Sequence, residues 1–284
     1  MRAGLSLTFV LIGLCSAVAD TPEEIQAAQK DAAEKLWQFV LTKGAKTPNV
    51  ASDAFYIIGN VDAKQLEPLS KAAEKVLPGI KKTLEISEKD QLWEGFIVVH
   101  VCKTNREFRT LYFKLKREKA HGDEMGFYVH EGKNTQIVLS PALQGKGKLT
   151  VELELISQLG SALLSRKRAD GNLPVWLLLG YGRSEAMRYA PKAFASERQA
   201  VALLVSQGKN MYEIQGDSMN PFEWLVLSGS LADFMAHGAP LEKYWSPFLK
   251  NITTDKDFFG TLREIKLDAD LLQKSWSQWA KNPR

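Results

Sequence analysis

The side chains able to do chemistry are few, and their spacing limits what they can do. Four histidines stand at positions 100, 121, 130 and 237, and two cysteines at 15 and 102. No two histidines are three or four residues apart, the spacing that sets two metal ligands on one helical face. His100 and Cys102 alternate onto one face of a strand, but two ligands without a third do not make a metal centre. His121 and His130 fall in or beside turns, where solvated histidines are ordinary. Ser228-Gly229-Ser230 lacks the glycine-x-serine-x-glycine elbow that would present a nucleophile. Glu152 with Glu154 or Glu185 could imitate a glycosidase's carboxylate pair, yet residues two apart on a helix point apart.

Glu152 is the carboxylate whose setting matters most. Leu149-Thr150-Val151-Glu152-Leu153-Glu154-Leu155 alternates apolar and polar as a strand does, but residues 156–164 do not. Wound as a helix, Glu154, Ser157, Ser161 and Ser165 share one polar face. Glu152 then falls among Leu155, Ile156, Leu159 and Leu163. A carboxylate inside an apolar stripe is costly unless it is paired or can reach water from the first turn. Both readings, a helix-end glutamate and a site residue, are open on these residues alone.

The elements that must position such residues follow from composition and patterning. With 284 residues, 45% hydrophobic and 25% charged, the chain is neither disordered, collagen-like nor a coiled coil. A net charge of +4 from 37 basic and 33 acidic residues gives no clustered basic face of the kind nucleic acid requires. The stretch Lys114-Leu115-Lys116-Arg117-Glu118-Lys119 reads as a solvated helix end. Arg2, the apolar run at residues 5–14 and Ala17-Val18-Ala19 form a secretory signal peptide, with cleavage expected after Ala19 and export to the periplasm or beyond. That run is too short to span a bilayer, and no later segment is long and apolar enough. Cleavage leaves Cys102 as the sole thiol, so no internal disulfide forms, and its strand context makes it a small core hydrophobe.

The expected fold class is α+β. Residues 20–146 read as a small mixed sheet with helices, and residues 147–284 as a mostly helical half of the same domain. Thr21-Pro22-Glu23-Glu24 opens a helix ended by Gly44. Strands are expected at residues 54–58, 95–101, 126–130 and 135–139, the last two joined as a hairpin through Glu131-Gly132-Lys133-Asn134. Helices are expected at 63–83 and from Thr104. Beyond residue 149 helices follow one another, with breaks at Gly171, Ala190-Pro191, Asn220-Pro221, Gly238-Ala239-Pro240 and residues 251–254.

Leu173-Pro174-Val175-Trp176-Leu177-Leu178-Leu179-Gly180-Tyr181-Gly182 resembles the proline–tryptophan–leucine–x–glutamate–glycine–x–alanine segment of gluzincin zinc metallopeptidases. It is most similar to the peptidase-MA-like domains of many secreted bacterial proteins. In that family a histidine–glutamate–x–x–histidine helix precedes it, and Val151-Glu152-Leu153-Glu154-Leu155 occupies that place. Phe55-Tyr56, Asn105-Arg106-Glu107-Phe108, Gly126-Phe127-Tyr128, Asp257-Phe258-Phe259-Gly260 and Trp276-Ser277-Gln278-Trp279 resemble further landmarks, so the likeness covers most of the chain.

The resemblance implies a thermolysin-like scaffold whose zinc ligands are gone. The two histidine positions hold Val151 and Leu155, the glutamate ligand position holds Leu179, and Glu152 alone remains, at the general-base position. Aliphatic side chains cannot coordinate zinc, so no cofactor is expected, and the three are expected to pack together where the metal would sit. The implied residual function is binding of an extended peptide or protein along residues 135–139, taken as an edge strand, with Tyr128, Gln136, Val138 and Glu152 at the cleft. A hydrolase using Glu152 with an unconventional partner, and a purely structural envelope protein, are the alternatives.

Overall fold

The computed structural model describes residues 21–41, 46–120, 124–140, 150–169, 172–216, 219–239, 241–256 and 258–282. The expected signal peptide, His121 and the breaks at Gly171 and Pro240 lie outside them.

Helix α1 (Pro22–Val40) opens with the expected capping box: the Thr21 hydroxyl accepts from the Glu24 N–H, and the Glu24 carboxylate accepts from the Thr21 N–H at 2.8 Å. Strands β1 (Asn49–Ala51) and β2 (Phe55–Gly59) lead into α2 (Ala63–Thr83). Next come β3 (Ile97–Val101), α3 (Asn105–Lys116) and the hairpin β4 (Gly126–Glu131) and β5 (Asn134–Leu139). The remainder is helical: α4 (Val151–Lys167), α5 (Val175–Tyr189), α6 (Ala195–Ser206), α7 (Met211–Ile214), α8 (Pro221–His237), α9 (Glu242–Asn251), α10 (Phe258–Glu264) and α11 (Ala269–Lys281). The class is α+β, with a mostly helical second half. No helix among the described residues is long and apolar enough to cross a membrane.

The strand order is β1-β2-β3-β5-β4, with β2, β3 and β5 parallel and an antiparallel strand at each edge. This corrects one expectation. Residues 135–139 are not an edge: β5 pairs with β3 on one side and β4 on the other, so its backbone groups are already bonded. The chain crosses over through α3, runs outward as β4 and turns back, which inserts β5 beside β3 and leaves β4 outermost. The short β1 went unread because three residues carry too little periodicity.

Alternation along the strands divides the sheet between two cores. Phe55, Ile57, Ile97, Val99 and Ile137 face α2 and α4 in a core that continues through Leu155, Leu177 and Tyr181 into the helical half. Tyr56, Ile58, Val98, Phe127 and Val138 face Trp37 of α1 and Phe108, Leu111 and Tyr112 of α3. The strand-like start of α4 is helical throughout, with the Thr150 hydroxyl accepting from the Leu153 N–H at 3.2 Å.

Glycines set how closely the central helices cross. A Cβ on Gly182 of α5 would lie 2.2 Å from the Ser157 carbonyl oxygen of α4, and one on Gly180 would lie 2.6 Å from the Ser228 carbonyl oxygen of α8. Helix α5 is therefore gripped from both sides. The Ser161 hydroxyl, 2.9 Å from the Leu178 carbonyl oxygen, ties the α4–α5 crossing. These two helices and the outer strand β4 frame the site.

Candidate functional site

A cleft of about 600 Å³ opens where β4 passes over the start of α4 and α5. Glu154, Ser157 and Gln158 of α4 line one part of it, and Val175, Leu178, Leu179 and Arg183 of α5 another. Met125, Gly126, Phe127 and Tyr128 line the strand side, with Lys116 and Glu124 at the edge.

The polar floor is held by specific bonds. Glu154 is 5% exposed, and its Oε1 accepts from Gln158 Nε2 at 2.7 Å. Burial raises its pKa, opposed by the Gln158 bond and by the Arg183 charge. Gly126 lies directly above: a Cβ there would lie 3.0 Å from Glu154 Oε1 and 3.1 Å from Gln158 Cγ and the Val138 carbonyl oxygen, so any larger residue would make the floor give by a few tenths of an ångström. Arg183 is buried and forks onto Glu197, its Nε donating to Oε2 at 3.1 Å, with its guanidinium over the Phe194 ring. Lys116 Nζ sits 4.8 Å from the Tyr112 ring centre and 5.2 Å from that of Phe127. Burial also raises the Tyr128 phenol, and a bond with Ser165 partly offsets that.

The backbone of β4 supplies the other half of the site. Ser140 N–H donates to the Met125 carbonyl at 2.9 Å, and the register pairs Phe127 with Val138 and Val129 with Gln136. Alternation then turns the N–H and C=O groups of Gly126, Tyr128 and His130 away from β5, toward the outer edge. No strand among the described residues pairs with that edge. Arg166, in the last turn of α4, holds the hairpin turn by donating to the carbonyls of Gly132 and Asn134, the latter at 2.8 Å.

The residues expected at the site are distributed differently. Tyr128 and Leu179 do line the cleft. Gln136 and Val138 point to the opposite side of the sheet, where Gln136 bonds His100 and Val138 is fully buried. Leu155 is fully buried in the main core and Val151 packs against it, so neither joins Leu179 at the cleft. Glu152 lies two residues round the helix from Glu154, and its Oε1 accepts from the Tyr189 hydroxyl at 2.5 Å. That bond is the main reason the Tyr189 phenol is pushed up to about 12. Glu152 thus resolves its charge at the helix start, away from the cleft.

Two mutational outcomes follow from this placement. Glu152→Gln keeps an acceptor for Tyr189, and urea unfolding should show a loss below ~1 kcal/mol. A loss of several kcal/mol would contradict the peripheral role. Leu179→Ala, at a half-buried cleft position, should cost only ~1 kcal/mol, whereas Leu177→Ala in the core should cost ~2–5 kcal/mol. Equal costs would place Leu179 in the core after all.

The remaining chemically suggestive residues are accounted for structurally. His100 and Cys102 do share a sheet face, buried beneath α1 and α3, and burial raises the Cys102 thiol well above its usual range. Ser228 is fully buried, and Ser230 Oγ accepts from Trp276 Nε1 at 3.1 Å. His237 Nε2 lies 3.4 Å from Glu185 Oε1, in the helical half. Among the described residues no group of three or more histidine, cysteine, aspartate or glutamate side chains could hold a metal ion. Glu154, Gln158, Arg183 and Gly126 were missed as site residues. The signal for the first was present in the polar helix face, but nothing local says which face meets a strand edge.

The chain matches no family model, and no curated protein or solved structure is significantly similar to it.

Proposed function

We propose that this protein binds an extended peptide segment, which adds as a further strand to the outer edge of β4 and lays alternate side chains into the cleft. The observation that carries this reading is the run of outward backbone groups at Gly126, Tyr128 and His130, which no strand among the described residues pairs with and the first two residues of which line a preformed cleft. Soluble proteins normally cover or charge such an edge. Here its side chains are instead half-buried, and Glu131 is the first exposed charge along it.

The gluzincin resemblance implies the same kind of site, although of the ligand positions it assigns only Leu179 lines the cleft. In that family the two ligand histidines stand four apart on the helix face beneath an antiparallel edge strand. The residues four apart that face the cleft here are Glu154 and Gln158, not the Val151 and Leu155 positions that the resemblance assigns to the ligands, and Leu179 lines the cleft with them. This set does not fit a catalytic zinc: one carboxylate is tied to an amide, an amide is a poor ligand, and a leucine is none. The reading is therefore a peptide-binding relative of such enzymes, exported through residues 1–19. Catalysis through Glu152 is not favoured, because that residue does not line the cleft.

Titration of a library of extended peptides by fluorescence anisotropy tests this proposal. Tyr128→Pro removes an outward N–H and should abolish binding while far-ultraviolet circular dichroism stays unchanged; Tyr128→Phe should bind as the parent does. Peptide binding that survives Tyr128→Pro, or a library without any binder, refutes the proposal.

A further inference from the structure

The opposite layer of the molecule carries a patch that the cleft does not use. Phe39 near the end of α1 and Phe113 on α3 are 61% and 53% exposed, and they line one shallow depression with Arg106, Arg109 and Lys114. Residues 106, 109 and 113 recur at helical spacing, so Arg106, Arg109 and Phe113 share the exposed face of α3, and the exposed Arg117 caps its end in the left-handed conformation. The one acidic residue of that helix, Glu107, is buried on the other side, its carboxylate accepting from the Lys103 and Thr104 N–H groups. Lys114 Nζ lies 3.6 Å from the centre of the Phe39 ring, which joins the cationic and aromatic parts into one surface.

We propose that this α1–α3 face docks on an anionic phospholipid surface, with Phe39 and Phe113 entering the headgroup region and Arg106, Arg109, Lys114 and Arg117 engaging lipid phosphates. The depression is shallow, its apolar lining is two phenyl rings, and no acidic side chain among the described residues lines it. A stable protein interface calls instead for a contiguous desolvated apolar centre, which two rings do not provide. Basic residues around exposed aromatic rings are the pattern of interfacial binding, each Lys or Arg adding to the attraction of an anionic leaflet. Because α1 and α3 cover one side of the sheet and α2 and α4 the other, docking here leaves the α4–α5 wall of the cleft on the side away from the lipid.

Co-sedimentation of the full chain with vesicles of phosphatidylglycerol and phosphatidylcholine tests the inference. The apolar run at residues 5–14 is common to every variant, so differences between variants read the patch. Binding should be ~100-fold tighter to vesicles rich in phosphatidylglycerol than to pure phosphatidylcholine, and should weaken at high salt. Phe39→Ser with Phe113→Ser, or Arg106→Gln with Arg109→Gln, should each lower it at least ~10-fold while peptide binding at the cleft persists. Equal binding to both vesicle types, or variants that bind as the parent does, overturns the proposal. So does retention on an immobilised acidic polypeptide without any vesicle binding, which would assign the face to an acidic protein.

Discussion

Gly182→Ala is expected to destabilise the protein by ~3 kcal/mol or more, the upper end of what overpacking a core crossing costs. The added methyl would sit 2.2 Å from both the Ser157 carbonyl oxygen and Ser161 Oγ, far inside contact distance. A flexible side chain could give way, but a helix backbone cannot. Relief by sliding α5 away from α4 is blocked on the other flank, where Gly180 already runs against the Ser228 backbone of α8. Relief by moving α4 would break the Ser161–Leu178 tie and the packing beneath the sheet. The measurement is urea unfolding, where a lower midpoint at unchanged slope reports lost stability of the same native state. The control is Gly79→Ala in α2, where nothing lies within 4 Å and the residue is exposed. That substitution removes only a helix-weakening glycine, and should stabilise by up to ~1 kcal/mol. Opposite signs at two helical glycines would confirm that contact geometry decides the outcome. Similar signs would mean that the α4–α5 crossing is looser than described.

The second large effect is acid sensitivity arising in the other core. His100 is fully buried beneath α1 and α3. Trp37 Nε1–H donates to its Nδ1 at 3.1 Å, which leaves Nε2 to carry the proton and donate to Gln136 Oε1 at 3.0 Å. The ring is therefore bonded in its neutral form, and burial lowers its pKa from 6.5 to about 4. Between these two values the unfolded chain binds a proton that the folded chain does not, so stability rises with pH across that window. The contribution is fully present above about pH 6.5 and is lost progressively as pH falls toward 4, amounting to about 3 kcal/mol. His130 acts in the same direction, its pKa lowered to about 4 mainly by burial and next by the Arg166 charge. Stability measured across this window should fall with acidity in the parent protein. In His100→Gln, which cannot titrate, the slope should flatten markedly. Should that variant not fold, the His100 ring resonances supply the check, remaining in the neutral form down to about pH 5. A ring titrating near 6.5 would contradict the buried neutral state.

Much of the fold was legible because its signals are local. Thr21 with Glu24, Asp62 with Gln65 and Thr104 with Glu107 each cap a helix by reciprocal bonds between residues three apart, and a reader of sequence sees them directly. The bounds of α2 and the hairpin turn at Gly132-Lys133 follow from such patterns. Strand order is not local. Nothing within residues 126–139 says which hairpin arm will pair with β3, so the edge was assigned to the wrong arm. The same limit moved the site. Helical winding put Glu154 on a polar face with Ser157, and the two line one cleft, whereas Glu152, expected on an apolar face, bonds the Tyr189 hydroxyl. The carboxylate at the cleft is nevertheless Glu154, because the location of the outer strand, not the helix itself, decides which face becomes a floor. Gly126 illustrates the point from the strand side: its missing Cβ matters because Glu154 and Gln158 of α4 lie beneath it.

Amide hydrogen exchange with and without a bound peptide tests, residue by residue, whether peptide backbone pairs with the outer edge of β4. The amides of Tyr128 and His130 should become strongly protected on binding, while those of Phe127 and Val129, already bonded to β5, should change little. Binding that protects amides elsewhere and leaves Tyr128 and His130 exchanging as in the free protein would contradict it.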